Sequence, residues 1–333
     1  MDVIEVSPKT ALVSSLIFGG VIKYAALNWI SSRRQMVLER VGKVSALYFY
    51  PVKSLNGLKV KEGFCSKTGL EVQGQIDRHW MIIDEKKVSL TQRTDPKMVL
   101  ITPSFHDNSL HLDAPNMVTI KVSFDDVSKN SANPVECKCR EVPMTGVDCG
   151  DEVAEWLTKV IGKANLRLVY SGPGLKKRDV LERAKNVTLA KSGNLVAYPD
   201  YTPYHLATDD SLADLNNKAQ HPVAMDNFRA NIIVKATDPF EEDYWREVRI
   251  GEATFQNVRL TTRCKLTQID PKNGEPDNVT KDPINTLRKY RRFKELGDSP
   301  CFGINLTINQ TGPIEVGDEV FATRHTLRAC CES

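Results

Sequence analysis

Four short segments hold the residues best suited to chemistry: Pro51-Val52-Lys53-Ser54, Asp77-Arg78-His79-Trp80, Asn227-Phe228-Arg229-Ala230-Asn231, and Thr261-Thr262-Arg263-Cys264-Lys265-Leu266-Thr267. Asp270-Pro271 and Gly274 follow the last of them. In three of the four, a cation stands beside a hydroxyl or amide donor at the end of an expected strand. That combination can hold an anionic, phosphate-bearing ligand by charge-assisted hydrogen bonds. Cys264 lies between Arg263 and Lys265, which place positive charge beside its sulfur. A cysteine sulfur is both a soft metal ligand and a nucleophile. Local chemistry therefore gives an anion site with a reactive cysteine. Two plainer readings stay open beside it: strand-end cations solvated by water, and a cysteine serving as a small buried hydrophobe.

Much familiar machinery is missing. There is no G-x-G-x-x-G, no Walker A loop, no H-E-x-x-H and no G-x-S-x-G. The six histidines show no ligand spacing, and the eight cysteines form no C-x-x-C pair. A redox function would thus draw its electrons from another protein. Lys+Arg 45 against Asp+Glu 42 leaves a formal charge of +3, which gives no support to a nucleic-acid partner.

The elements that must position these residues read mostly as strands. Residues 44–50, 79–83, 98–101, 118–124 and 166–170 are β-branched or aromatic runs broken by turn residues. Later strands fall at 231–235, at 245–260 with a turn at Gly251, at 302–308 and at 314–322. Helical spacing of Val153, Trp156, Leu157, Val160 and Ile161 predicts a helix over 151–162, stopped by Gly162. Shorter helices are expected at 211–216, capped by Asp209 or Asp210, and at 283–296. Residues 171–185 read as a charged boundary or surface segment. The fold class is mainly β with short helices (α+β), built as a small barrel or sandwich. Ahead of it, residues 11–30 form an apolar run long enough to cross a bilayer, roughly 20 residues. Lys23 interrupts it, Trp29 and Tyr24 suit an interface, and Arg33 and Arg34 follow, so an anchored body should face the cytosol; the alternative is an amphipathic helix packed on the body.

The ordered motifs together resemble the MOSC-domain family, and within it the molybdenum-dependent amidoxime-reducing components. The resemblance rests on P-V-K-S at Pro51–Ser54, D-R-x-W at Asp77–Trp80, F-R-x-N at Phe228–Asn231, R-C-x-L-T at Arg263–Thr267, S-P-x-F-G at Ser299–Gly303 and I-x-V-G-D at Ile314–Asp318. It implies an N-terminal anchor over 1–40, a MOSC N-terminal β-rich domain over 41–175, a MOSC β-barrel domain over 176–326 and a tail over 327–333. It implies the molybdenum cofactor, with Cys264 as the metal's protein ligand. Lys53, Ser54, Arg78, Arg229, Asn231, Thr262 and Arg263 would hold the pterin and its phosphate. Asn305 should lie near the same pocket, while Asp200 and Thr202 match a loop over the metal, Asp200 being a candidate acid.

By the same resemblance the substrates are amidoximes, hydroxylamines and N-hydroxylated bases. Electrons come from NADH through cytochrome b5 reductase and cytochrome b5, at the cytosolic face of the mitochondrial outer membrane. The alternative is a MOSC-type sulfur-transfer or cofactor-carrier protein. Thr262 stands where relatives often have Ser, which keeps the hydroxyl. Cys301 reads as packing, and Cys330 and Cys331 as tail residues or lipidation sites. The run Arg288–Arg292 is either a solvated helix face or a docking surface for an acidic electron carrier.

Overall fold

The strand Glu39–Phe49 turns Val41, Val44, Leu47 and Phe49 into a core. Strict alternation would set Val41 and Val44 on opposite faces, and register shifts at Arg40/Gly42 and Val44/Ala46 break it. The structure, a computed structural model, describes residues 37–183 and 189–324. On one edge this strand pairs with Ile232–Lys235; on the other it pairs first with Glu319–Arg324 and then with Leu58–Val60. From Ile232–Lys235 the order runs through Tyr204–Thr208, Cys301–Gln310, Ala253–Thr262, Trp245–Ile250 and Glu319–Arg324, then returns to Glu39–Phe49. Seven strands therefore close a barrel, and closure removes the unpaired edges of an open sheet. Neighbours are antiparallel except Tyr204–Thr208 with Ile232–Lys235. That parallel pair needs a crossover, and the helix Asp209–Lys218 lies in it.

Phe255, Trp245, Leu306 and Ile304 fill the barrel with the residues of the first strand. The pairing of Ala253–Thr262 with Cys301–Gln310 shifts register at three places. Such bulges bend a strand and re-aim its side chains, and the last of them, between Leu260 and Thr262, lies just before Arg263 and Cys264. A β-rich portion precedes Tyr204. It contains the sheet Val135–Cys139, Val142–Asp148, Arg167–Tyr170 and Trp80–Ile83, and the smaller sheet Thr102–His106, Ser109–Asp113 and Ile120–Ser123. The helix Asp151–Ile161 packs Val153, Trp156 and Leu157 against Trp80, Leu110 and Leu168. Gly162 ends it at φ 80°, a left-handed cap that glycine adopts without steric cost. The described residues from Glu39 onward form one compact unit, with the first described strand serving in the barrel.

The mainly β reading with short helices agrees with this architecture, and several local expectations need correction. Residues 98–100 belong to a 3-10 turn, Pro96–Leu100, with Ile101 its extended C-cap, because Pro96 has no amide proton for a ladder and Met98 N–H bonds back to Asp95 O. The second short helix runs Asp209–Lys218 and is capped by Thr208, whose Oγ1 accepts from Ser211 N at 3.2 Å. The third covers only Ile284–Tyr290. Arg291 ends it by turning inward onto Asp243 in a bidentate pair at 2.7 and 2.8 Å. The basic run is thus no uniform solvated face, since Arg291 is buried while Arg288, Lys289 and Arg292 are exposed. Arg178, expected on a charged surface segment, is buried and donates to Pro199 O at 2.8 Å. Cys301 sits in the barrel core, where burial pushes its thiol up to about 12. The expected anchor lies outside the described residues, save that Glu39 and Arg40 already belong to the first strand. Among the described residues no helix is long and apolar enough to cross a membrane. Cys330 and Cys331 also lie outside them.

Candidate functional site

Ser54, Arg78 and Arg229 all have left-handed backbone, at φ 65°, 52° and 54°. Non-glycine residues rarely adopt it, and such strain persists only where surrounding structure enforces it, commonly at functional sites. All three line one cavity of about 320 Å³. The same cavity is lined by Lys53, Asp200, Thr202, Asn231, Thr262, Arg263, Cys264 and Asn305, so the structure brings every site residue expected from the sequence together. Three cavities are larger: two surface grooves of about 830 and 930 Å³ include no cysteine among their described lining residues, and one of about 370 Å³ is lined by Cys137, whose buried thiol is pushed up to about 11.

Asp77 is the hub beneath the cavity. Its fully buried carboxylate accepts from Tyr50 N at 2.8 Å, from Asn231 Nδ2 at 2.9 Å and from the Arg78 guanidinium. Burial pushes this carboxyl up even with the Arg78 charge against it. Arg78 also donates to Arg229 O at 3.0 Å, and Arg229 donates to Leu55 O at 2.6 Å. Both guanidinium groups lie over the Tyr50 ring, at 4.8 and 4.3 Å. Gln92 holds the strained turn from below by donating to Ser54 O at 2.9 Å. Arg263 donates to Phe228 O at 2.7 Å.

Burial pulls both Arg229 and Arg263 down to about 10, so each sits in a protein environment that under-solvates its charge. Buried polar atoms on these walls have no protein partner: Arg229 Nη2, Arg263 Nε, Asn305 Nδ2 and Thr261 Oγ1. Leaving such donors unmade is costly, about 1–3 kcal/mol each. An acceptor-rich anion answers that need, and the phosphate and ring acceptors of a pterin cofactor fit the donor set. Six cationic side chains and one carboxylate line the cavity, which is the charge balance an anionic cofactor requires.

Asp200 serves these cations as a fixed counter-charge. Lys53 Nζ donates to its Oδ1 at 2.6 Å and to Tyr198 O at 2.8 Å. Arg140 clamps both oxygens, at 2.9 and 2.5 Å. Burial opposes ionisation, yet Lys53 and Arg140 together hold the carboxyl well below the usual carboxylate range. Thr202 follows and donates to Tyr204 O at 2.9 Å, with Asn305 Oδ1 at 3.1 Å. His205 is held neutral: burial, with Arg263 nearby, keeps it well below the ordinary imidazole value. Gly303 makes room for it, since a Cβ there would stand 2.5 Å from His205 Nε2, on a backbone at φ 74°.

Cys264 is exposed and heads the 3-10 turn Lys265–Gln268. The cavity is therefore graded. Lys53, Asn231, Thr202 and Asn305 are buried at its floor, while Cys264 and Ser299 are open. No cluster of three or more His, Cys, Asp or Glu among the described residues could hold a metal ion alone. A metal here would rest on Cys264 and on donors brought by its own cofactor.

Residues 41–164 match the family model of the MOSC N-terminal beta barrel domain, and residues 194–321 match that of the MOSC domain. The chain is 37% identical over 294 residues to mitochondrial amidoxime reducing component 2 of Rattus norvegicus, covering 87% of this chain and 86% of that one. It is 32% identical over 295 residues to mitochondrial amidoxime-reducing component 1 of Homo sapiens, with 87% and 86% covered. The chain belongs to this family. The motif resemblance found in the sequence therefore stands on a likeness along most of the chain.

Sequence reasoning missed four contributors to the cavity. Asp77 was visible in its motif, but its role as hub depends on Asn231, 154 positions away. Arg140 sits in the turn between Val135–Cys139 and Val142–Asp148, and no local signal ties it to Asp200, 60 positions on. Arg93 and Tyr201 line the cavity with no motif of their own.

Proposed function

We propose that the chain is a molybdenum-cofactor oxidoreductase that reduces N-hydroxylated compounds: amidoximes, hydroxylamines and N-hydroxylated bases. The observation that carries this reading is an exposed cysteine sulfur beside buried guanidinium groups with unmade hydrogen bonds. The names of the family's relatives, amidoxime-reducing components, support the reaction class. When bound, the cofactor supplies the oxygen-transfer chemistry.

The chain's own residues do the rest. Cys264 would ligate the metal. Arg78, Arg229 and Arg263 would neutralise the cofactor's anionic groups, with Ser54, Asn231, Thr262 and Asn305 as neutral donors. Lys53 would add charge while its ammonium stays tied to Asp200. Asp200 has no proton to give near neutral pH, because two cations hold it ionised. Protons therefore reach the substrate from water at the open rim, where Cys264 and Ser299 are exposed.

Electrons come from NADH through cytochrome b5 reductase and cytochrome b5, a proposal supported by the lack of nicotinamide or flavin fingerprints in the chain. An anchor within residues 1–40 would hold the body at the cytosolic face of the mitochondrial outer membrane. The apolar run at 11–30 and the relatives' mitochondrial names support that placement. The test is reconstitution: molybdenum and pterin content of the purified chain, then NADH-dependent reduction of benzamidoxime with both electron carriers. Cofactor held without turnover would leave a carrier, and sulfur released to an acceptor would leave a sulfur-transfer protein. Either result overturns the reductase reading.

A further inference from the structure

We infer that Tyr201 sets substrate preference, favouring N-hydroxylated compounds with a flat aromatic body over small aliphatic ones. This rests on the reductase reading above. Tyr201 follows Asp200 directly and lines the cavity that holds Cys264. The cavity floor is buried and its walls carry the guanidinium groups of Arg78, Arg229 and Arg263, so the cofactor's charged groups belong inside. Substrate must then approach from the open side, where Cys264 and Ser299 are exposed and Asp200 and Tyr201 are half-exposed. Of the aromatic side chains on the lining, Phe228 is buried and stacked on Phe302 at 3.9 Å, which places it in the wall. Tyr201 is the half-buried aromatic residue on the lining, next in the chain to Asp200.

The ring is also held still. The guanidinium of Arg183 lies 4.9 Å from its centroid and that of Arg259 lies 5.0 Å away. The ring packs beside buried Val258. Arg183 donates in turn to Asp200 O at 2.8 Å, so the segment that carries the ring is pinned as well. Cation–π contact of this kind orients an aromatic group at little entropic cost, and a pre-set ring is a better packing surface than a mobile one. A planar aryl group gains from such contact, whereas a methyl-sized group gains little.

The experiment compares benzamidoxime with acetamidoxime on the cofactor-loaded full chain. Wild type, Tyr201→Ala and Tyr201→Phe are assayed for kcat/KM on both, and NMR titration gives the dissociation constants without turnover. Tyr201→Ala should lower the benzamidoxime-to-acetamidoxime preference by roughly tenfold, and Tyr201→Phe should keep it within about twofold. Molybdenum content and melting temperature check that both variants are loaded and folded; if the Ala variant is not, Tyr201→Leu takes its place with the same expected loss. An unchanged preference in the truncated variant, in rate and in binding alike, overturns the inference. A wild type that binds both amidoximes with the expected preference yet reduces neither overturns the reductase reading instead, and leaves the role of Tyr201 in recognition standing.

Discussion

Replacing Asp77 with Asn removes the one charge under the site while keeping its size. Asp77 accepts from a backbone amide, a side-chain amide and a guanidinium, and none of its surface is exposed. An asparagine keeps one acceptor oxygen and turns an NH2 toward donors. Removing one partner of a buried ion pair costs about 3–5 kcal/mol. The lower end applies here, because the Arg78 side chain is 14% exposed and keeps Arg229 O at 3.0 Å and Asn231 Oδ1 at 3.3 Å as acceptors. Unfolding free energy should fall by about 3 kcal/mol, out of a typical total of about 5–15. At about 2–4 °C per kcal/mol, the melting temperature should drop by roughly 6–12 °C. Urea titration of the cofactor-free protein measures this directly. The companion variant Arg78→Met should be destabilised too, and the double variant should recover at least half the combined loss, since a neutral pair leaves no buried charge unpaired. Strict additivity of the two single losses, or a loss below about 1 kcal/mol for Asp77→Asn, would refute the hub argument.

Cys264→Ala should abolish N-reductive turnover while pterin binding partly persists, since the donors on the cavity floor remain; molybdenum assay and pterin fluorescence report the two separately. Asp200 is held below the usual carboxylate range, so the stability it contributes is present above the ordinary carboxylate pKa and lost as pH falls through its folded value. Wild type should therefore exceed Asp200→Asn in melting temperature at pH 7, with the gap closing in acid, and Arg140→Met should narrow the gap where Arg140→Lys preserves it. His205 is held neutral by burial, so the unfolded chain takes up its proton first as pH falls below the ordinary imidazole value. Stability should then decline by up to about 1.4 kcal/mol per pH unit below about pH 6.5, and His205→Gln should flatten that slope in urea titrations at several pH values.

Local sequence was sufficient for the strand-rich body, because β-branched and aromatic runs broken by turn residues report burial on one face of a strand. It was sufficient for the helix at Asp151–Ile161, where apolar spacing, acidic first turn and Gly162 agree. It also picked out the cationic segments and Cys264, while the full set of eleven candidate site residues followed from the resemblance of the ordered motifs to the MOSC-domain family, with Asp200, Thr202 and Asn305 outside those motifs. It misread Pro96–Leu100 and overran Ile284–Tyr290, where a proline and an inward-turning arginine outweighed apolar character.

Only the tertiary structure decided how those residues act on one another. Closing the barrel through Glu39–Phe49 and Ile232–Lys235 brings Asp77 against Asn231, and the turn at Arg140 meets Asp200. Whether a carboxylate is an acid or a fixed counter-ion depends on the charges within a few ångströms and on access to water. Those neighbours come from distant parts of the chain, and the fold alone sets their distances. Motif order could therefore identify the participants, while packing assigned Asp77 its place as hub, Asp200 its charge and Tyr201 its position on the cavity lining.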